Sequence, residues 1–307
     1  MNSRNLALLV VVLLAAAAGA GWLALRARPQ PLAGQPVPGG DGGGLPRATA
    51  EDEGLEPAGL EAARSQARAL GARALLVMRH GHLVLEDAHA LPAGELVPGG
   101  AMGEGAQALL AGVATRELGI TLPAGELAPA QLVAGIEHEG KQPYARYLSH
   151  SIWQPVNAAP ALLVGDAAAS VQGCCLAARA TDWLRIAALL LEGGRFEGTQ
   201  VVSAAWVQGV LRPLPTDPAR AYGLWLAPAA SGAEPFAAPD VAFLRGPGRT
   251  RLWLMPTLDL AVLLVDDTRA APDTRFDETR IPNLVIRALH GQQQRQAQGL
   301  DALVPGH

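Results

Sequence analysis

The apolar positions fall into one long unbroken run, several helical stripes and several short alternating runs. The long run comes first: Leu6 to Leu25 carries 20 residues without a charge, enough to span a hydrocarbon core as a helix. Arg4 and the α-amino group on one flank oppose Arg26 and Arg28 on the other, so charge bias sets the orientation only weakly. The short tail before it favours an uncleaved signal anchor over residues 1–27, the rival being a signal peptide cut near Ala18 or Ala20. Residues 28–54 are rich in Pro and Gly, include GGDGGG and lack apolar periodicity; they read as a flexible linker. A folded domain is expected over 55–292, followed by a polar tail over 293–307.

Within the domain the period changes from helix to strand and back. Pro57 to Leu70 puts Leu60, Ala63, Ala67 and Leu70 on one helical face, and two β runs follow, Ala74 to Met78 and Leu83 to Glu86, joined through Arg79-His80-Gly81-His82 as a hairpin turn. Gly99 to Gly119 predicts a buried central helix. It is apolar from Ala106 to Val113, has Glu104 near its positive end and Arg116 near its negative end, and ends at Gly119 as a left-handed cap. Further helices are expected over 130–139, 144–149 and 177–191, and from a Ser203 cap to Leu211. Strands over 222–226, 241–245, 251–255 and 260–265 and a helix over 277–289 complete the pattern. Strands at both ends with helices between them imply one sheet, built from the early hairpin and the late strands, with the central helix packed on it.

Composition narrows the function. The chain has 307 residues, half of them apolar, and a net charge of −4, which gives ample core and no basic field for nucleic acid. The single lysine, Lys141, stands among 24 basic residues, and Ala, Gly and Pro abound, the composition of a product of a GC-rich bacterial genome. The two cysteines, Cys174 and Cys175, are adjacent, a spacing that rarely meets disulfide geometry, so they are read as small buried hydrophobes. His80 and His82 lack a third ligand nearby in sequence, so no metal site is expected, and no cofactor motif is present.

Several stretches resemble the serine β-lactamase-related hydrolases, in particular the class C-like branch with the penicillin-binding esterases and the aminohexanoate-dimer hydrolases. They are ALLVMRHGHLVLE, AMGEGAQALLAGVATRELG, QPYARYLSHSIWQP, GCCLAARATDWLRIAALLLEGGRFEGTQVVSAAWV and FLRGPGRTRLWLMPTLDLAVLL, which together span most of residues 70–290. The resemblance implies an α+β, β-lactamase/transpeptidase-like fold: an antiparallel sheet flanked by helices, with a helical subdomain that is reduced here.

The chemistry implied by the resemblance needs three clusters, and this chain departs from each. Where the family has Ser-x-x-Lys, a nucleophile and its base one helical turn apart, the chain has Ala101 and Glu104. The segment from Gly119 to Gln131, which should bring a Tyr-x-Asn proton carrier, is short and holds no Tyr, Ser or Asn. The Lys/His-x-Gly of the facing strand corresponds to Gly246-Pro247-Gly248. Lys141 is preceded three places earlier by His138, and none of Tyr144, Tyr147 and Tyr222 is followed two places on by Asn, so no cluster reappears elsewhere. Ala101, Glu104, Gly246, Pro247 and Gly248 are therefore degenerate site positions, and no catalytic residue is assigned. His150-Ser151 is a sequence pair without triad spacing. Asp182 with Arg185 and Glu192 with Arg195 read as solvated helical ion pairs. In a closed site Glu104 would have a raised pKa and acid–base capacity; otherwise it is a carboxylate favoured by the helix dipole. The expected function is a pseudohydrolase, single-pass in the bacterial inner membrane with a periplasmic domain, binding an envelope protein or a small-molecule ligand. The alternative is an esterase, amidase or peptidoglycan-type hydrolase with a non-standard site.

Overall fold

The computed structural model describes residues 32–123, 128–164, 175–226, 234–267 and 276–289. Residues 6–25 and the tail after 289 lie outside that set, and no helix among the described residues is long and apolar enough to cross a membrane. The described residues from Gly34 onward form one compact unit.

In chain order the elements are β1 (Gly34–Val37), α1 (Pro57–Ala69), β2 (Ala74–Arg79), β3 (His82–Asp87), β4 (Val97–Pro98), α2 (Gly103–Leu118) and α3 (Pro129–Gly140). Then come α4 (Tyr144–Leu148), continued by a π turn Ser149–Trp153, β5 (Ala161–Val164), β6 (Leu176–Ala178) and α5 (Ala180–Leu191). The chain ends with β7 (Arg195–Phe196), β8 (Thr199–Gln200), α6 (Ala204–Val210), β9 (Arg220–Ala221), β10 (Leu224–Leu226), β11 (Ala242–Arg245), β12 (Arg251–Met255), β13 (Leu260–Val265) and α7 over 280–289.

The main sheet is antiparallel, in the order β3-β2-β13-β12-β11-β10-β9. The early hairpin and the late strands thus share one sheet, β2 lying against β13 in the register Leu76↔Leu263 and β12 against β13 in the register Trp253↔Val262. Alternation sorts its side chains. Leu75, Val77, Trp253, Val262 and Leu264 join α1 and α7 in one core, while Leu76, Met78, Leu252, Leu254 and Leu263 join α2 and α5 in the other. Strand β13 is buried at every position, as a strand covered on both faces must be. At the β2–β3 turn His80 (φ 46°) and Gly81 (φ 76°) are both left-handed, the geometry of a tight hairpin.

Helix α2 is buried all round from Gly105 to Ala114 and ends at Gly119 with φ 66°. It meets the sheet at Leu244 of β11, which approaches Gly105, and at the β9–β10 turn. The middle of the sheet is covered by α5 rather than by α2, so the expected packing of the central helix holds only along the β11 side.

Three expectations are corrected. Residues 34–54 belong to the folded unit: β1 pairs with β5, Arg47 bridges Leu83, and Val37, Leu45 and Leu55 are buried. Their glycines serve close packing; a Cβ on Gly39 would sit 2.3 Å from the Ala158 carbonyl oxygen. Ala177 is in a strand, not a helix, because Leu176–Ala178 pairs with both β4 and β5 in a second sheet of order β1-β5-β6-β4. Cys175 is disulfide-bonded and half-buried; the chain's other cysteine, Cys174, lies outside the described residues.

Candidate functional site

The degenerate positions are assembled where α2 begins. A single 3-10 turn, Gly100–Met102, leads into α2 and packs on the end of β11. Ala101 is half-buried and Met102 fully buried. The turn after β11 is closed by Gly246 N–H donating to Thr250 O (2.9 Å) and Thr250 N–H donating to Pro247 O (3.1 Å). Arg249 holds it from outside with two guanidinium bonds to the Asp266 carboxylate (2.9 and 3.0 Å), and the Asp266 N–H donates to Thr250 Oγ1 (3.0 Å). The guanidinium and two backbone N–H groups keep the Asp266 carboxyl below its usual range despite burial. This scaffold presses Pro247 against the helix start. Gly100 has φ 52°, and a Cβ there would lie 3.1 Å from Pro247 Cδ. Gly100 is thereby brought beside Pro247 and the Met102 methyl beside Gly246, whereas Gly248 lies against the Asp266 carboxylate.

Glu104 faces another way. It lines a cavity of about 370 Å³ with Pro129, Leu214, Thr216, Asp217, Arg220, Ala221 and Gly223, from which Ala101 and Pro247 are absent. Arg220 stands 3.9 Å from its carboxylate and lies over the Trp225 ring, 4.1 Å from the centroid, with Arg245 at 4.2 Å from the same ring. Burial pushes the Glu104 pKa up, and Arg220 only partly opposes it. Desolvation thus outweighs the attraction of Arg220, although the carboxylate side chain is still 32% exposed. Gly223 makes this approach feasible: with φ 81°, it lies so near that a Cβ would sit 2.9 Å from the Glu104 carbonyl oxygen.

The remaining candidates are structural. His150 Nδ1 bonds to Arg146 O in its own helix (2.8 Å), and Ser151 is buried without a bond to it. Tyr147 OH donates to Glu117 (3.1 Å), and burial with that carboxylate pushes its pKa up to about 12. Asp182 and Arg185 are not solvated: they pair at 2.9 Å with side chains 1% and 3% exposed, and Arg185 also donates to Gly43 O while Asp182 accepts from Ala159 N–H. This pair fastens the N-terminal segment to α5. Glu192 and Arg195 do not form an ion pair within 4 Å among the described residues.

Sequence reasoning missed Glu53. Its buried carboxylate lies between the hairpin histidines, 2.7 Å from Nδ1 of His80 and 2.7 Å from Nδ1 of His82. Its place in the presumed linker hid it, although the density of acids over 51–53 was visible. Among the described residues no group of three or more His, Cys, Asp or Glu is arranged to hold a metal ion.

No family model matches the sequence, and no curated protein is similar to it at a significant level. Solved structures are similar. A Bacillus anthracis protein assigned to the 6-aminohexanoate-dimer hydrolases superposes with TM-score 0.59 at 13% identity, over 89% of this chain and 92% of its own. A family VIII carboxylesterase gives 0.57 at 12% identity, over 76% and 98%. A Mycobacterium bovis β-lactamase gives 0.57 at 17% identity, over 73% and 98%. At such identities the likeness concerns the fold, and the chain has the fold of the β-lactamase and penicillin-binding-protein-like serine hydrolases.

Proposed function

We propose that the protein is a pseudohydrolase: a β-lactamase-fold domain, tethered to the bacterial inner membrane by residues 6–25, that binds a ligand or partner in the periplasm without covalent catalysis. The observation that carries this reading is the contact between Gly100 and Pro247. Pro247 stands beside the helix start, where a Cβ on Gly100 would lie 3.1 Å from its Cδ, and the residue at the position that matches the family's nucleophile is Ala101. A hydrolase of this mechanism acts through nucleophile, base and electrostatic donor as a unit, and the loss of all three leaves little more than binding. The second reading, hydrolysis by a non-standard site, draws on Glu104, a half-buried carboxylate with a raised pKa beside a cavity. Turnover of nitrophenyl butyrate and benzylpenicillin by the purified full chain separates them. The pseudohydrolase reading expects the rate of buffer alone. A rate abolished by Glu104→Gln would establish the other.

A further inference from the structure

The cavity of about 370 Å³ beside Glu104 has an imbalance of charge in its wall. It opens between the start of α2, the start of α3 at Pro129 and the turn from Leu214 to Gly223, and it carries two carboxylates, Glu104 and Asp217, against one guanidinium, Arg220. The turn that brings Asp217 there is pinned by its own backbone. Ala219 N–H donates to Asp217 Oδ1 (3.0 Å), Arg220 N–H to Asp217 O (3.0 Å) and Leu214 N–H to Arg220 O (2.8 Å). Both acids are thus held on one cavity before any ligand arrives.

The Glu104 carboxylate is open to that cavity and poorly compensated. Its side chain is 32% exposed and lines the wall, and the nearest cationic nitrogen, on Arg220, stands 3.9 Å away, beyond hydrogen-bond reach. Arg220 is held off by its stacking on the Trp225 ring, 4.1 Å from the centroid. Burial raises the Glu104 pKa, and Arg220 is the one influence that opposes it. A half-buried carboxylate without a donor is stabilised most by a cation that brings N–H groups of its own.

We propose that this cavity binds a small organic monocation with N–H donors, an amidinium or guanidinium, which donates to Glu104 and Asp217 while its apolar body lies on Pro129, Leu214 and Ala221. The two carboxylates disfavour an anion, and Arg220 competes with the ligand for Glu104 rather than helping to hold it. The inference rests on the non-covalent binding role proposed above, whose ligand class it names.

The test is calorimetric titration of the full chain at low salt with benzamidine, with benzamide as its neutral isostere and benzoate as the anion. Saturable one-to-one binding of benzamidine is expected with a dissociation constant of about 1 mM or tighter, at least tenfold below that of benzamide, and none of benzoate. Glu104→Gln, checked for an unchanged melting temperature, should weaken it about tenfold, and Arg220→Gln should tighten it by removing the competing charge. Equal affinity for benzamidine and benzamide, saturable binding of benzoate, unchanged affinity in a folded Glu104→Gln protein, or weaker binding in Arg220→Gln would each overturn the proposal. Binding is read without turnover, so these failures leave the pseudohydrolase reading standing, whereas ester turnover with the benzamidine binding intact would overturn that reading and support this one.

Discussion

Glu104 shows how one residue reports on its surroundings. Its pKa is raised by burial above the ordinary 4.5, so the folded state holds the proton more tightly than the unfolded chain does. The stabilising contribution is then complete below about 4.5 and is lost as pH rises through the folded value. Glu104→Gln removes this loss. The unfolding free energy of the variant relative to the native chain is expected to rise between pH 4 and pH 7 in urea titrations; a pH-independent difference would show that the carboxylate is not desolvated. Asp182 gives the complementary case. Its partner Arg185 is equally buried, so Asp182→Ala leaves an unpaired buried guanidinium. That should cost about 3–5 kcal/mol, read from the shift in urea midpoint, with a cost under 1 kcal/mol refuting the pairing.

Elements were legible in the sequence where period and burial agree. The β2–β3 hairpin and strands β11, β12 and β13 alternate Leu, Val and Trp in step with the two cores, and α2 reads as a buried helix because it is apolar on every face. Strand β6 was not legible, since Leu176–Ala178 runs into the apolar stripe of α5 and only its pairing partners make it a strand. At the site the positions Ala101, Glu104 and Gly246-Pro247-Gly248 could be named from residue order. The partner Arg220 could not, because it reaches Glu104 through tertiary packing, and neither could Glu53, which tertiary packing brings to the hairpin histidines. The pairing of the helix start with the β11 turn also bears on repair. Ala101→Ser with Glu104→Lys restores two side chains but leaves Pro247 against Gly100, and acid–base help is worth about 10²–10⁴ in rate and an electrostatic donor about 10²–10³ more. The double variant is expected to turn over nitrophenyl esters no faster than the native chain. A burst of acylation would show that the facing strand still supplies a donor.

At the scale of the molecule, the N-terminal region divides at about residue 33 rather than at 54. Glycine and proline concealed this, because both flexible linkers and tightly packed coil are rich in them. Val37, Leu45 and Leu55 are each buried, and burying such a side chain contributes about 1.5–3 kcal/mol. Deleting residues 1–27 should therefore leave thermal stability unchanged and release the protein from membranes on fractionation. Deleting 1–54 should lower the melting temperature sharply or prevent folding. Equal stability of the two truncations would place 34–54 outside the cooperative unit.

The pseudohydrolase account rests on a β-lactamase fold whose helix start has Ala101 at the nucleophile position and Gly100 beside Pro247, and covalent capture examines that directly. The purified chain is incubated with a fluorophosphonate probe and with benzylpenicillin, and its intact mass is recorded. An unchanged mass is expected with both reagents. A stoichiometric mass increase matching one phosphonyl or penicilloyl group would contradict the account and reveal a nucleophile elsewhere in the fold.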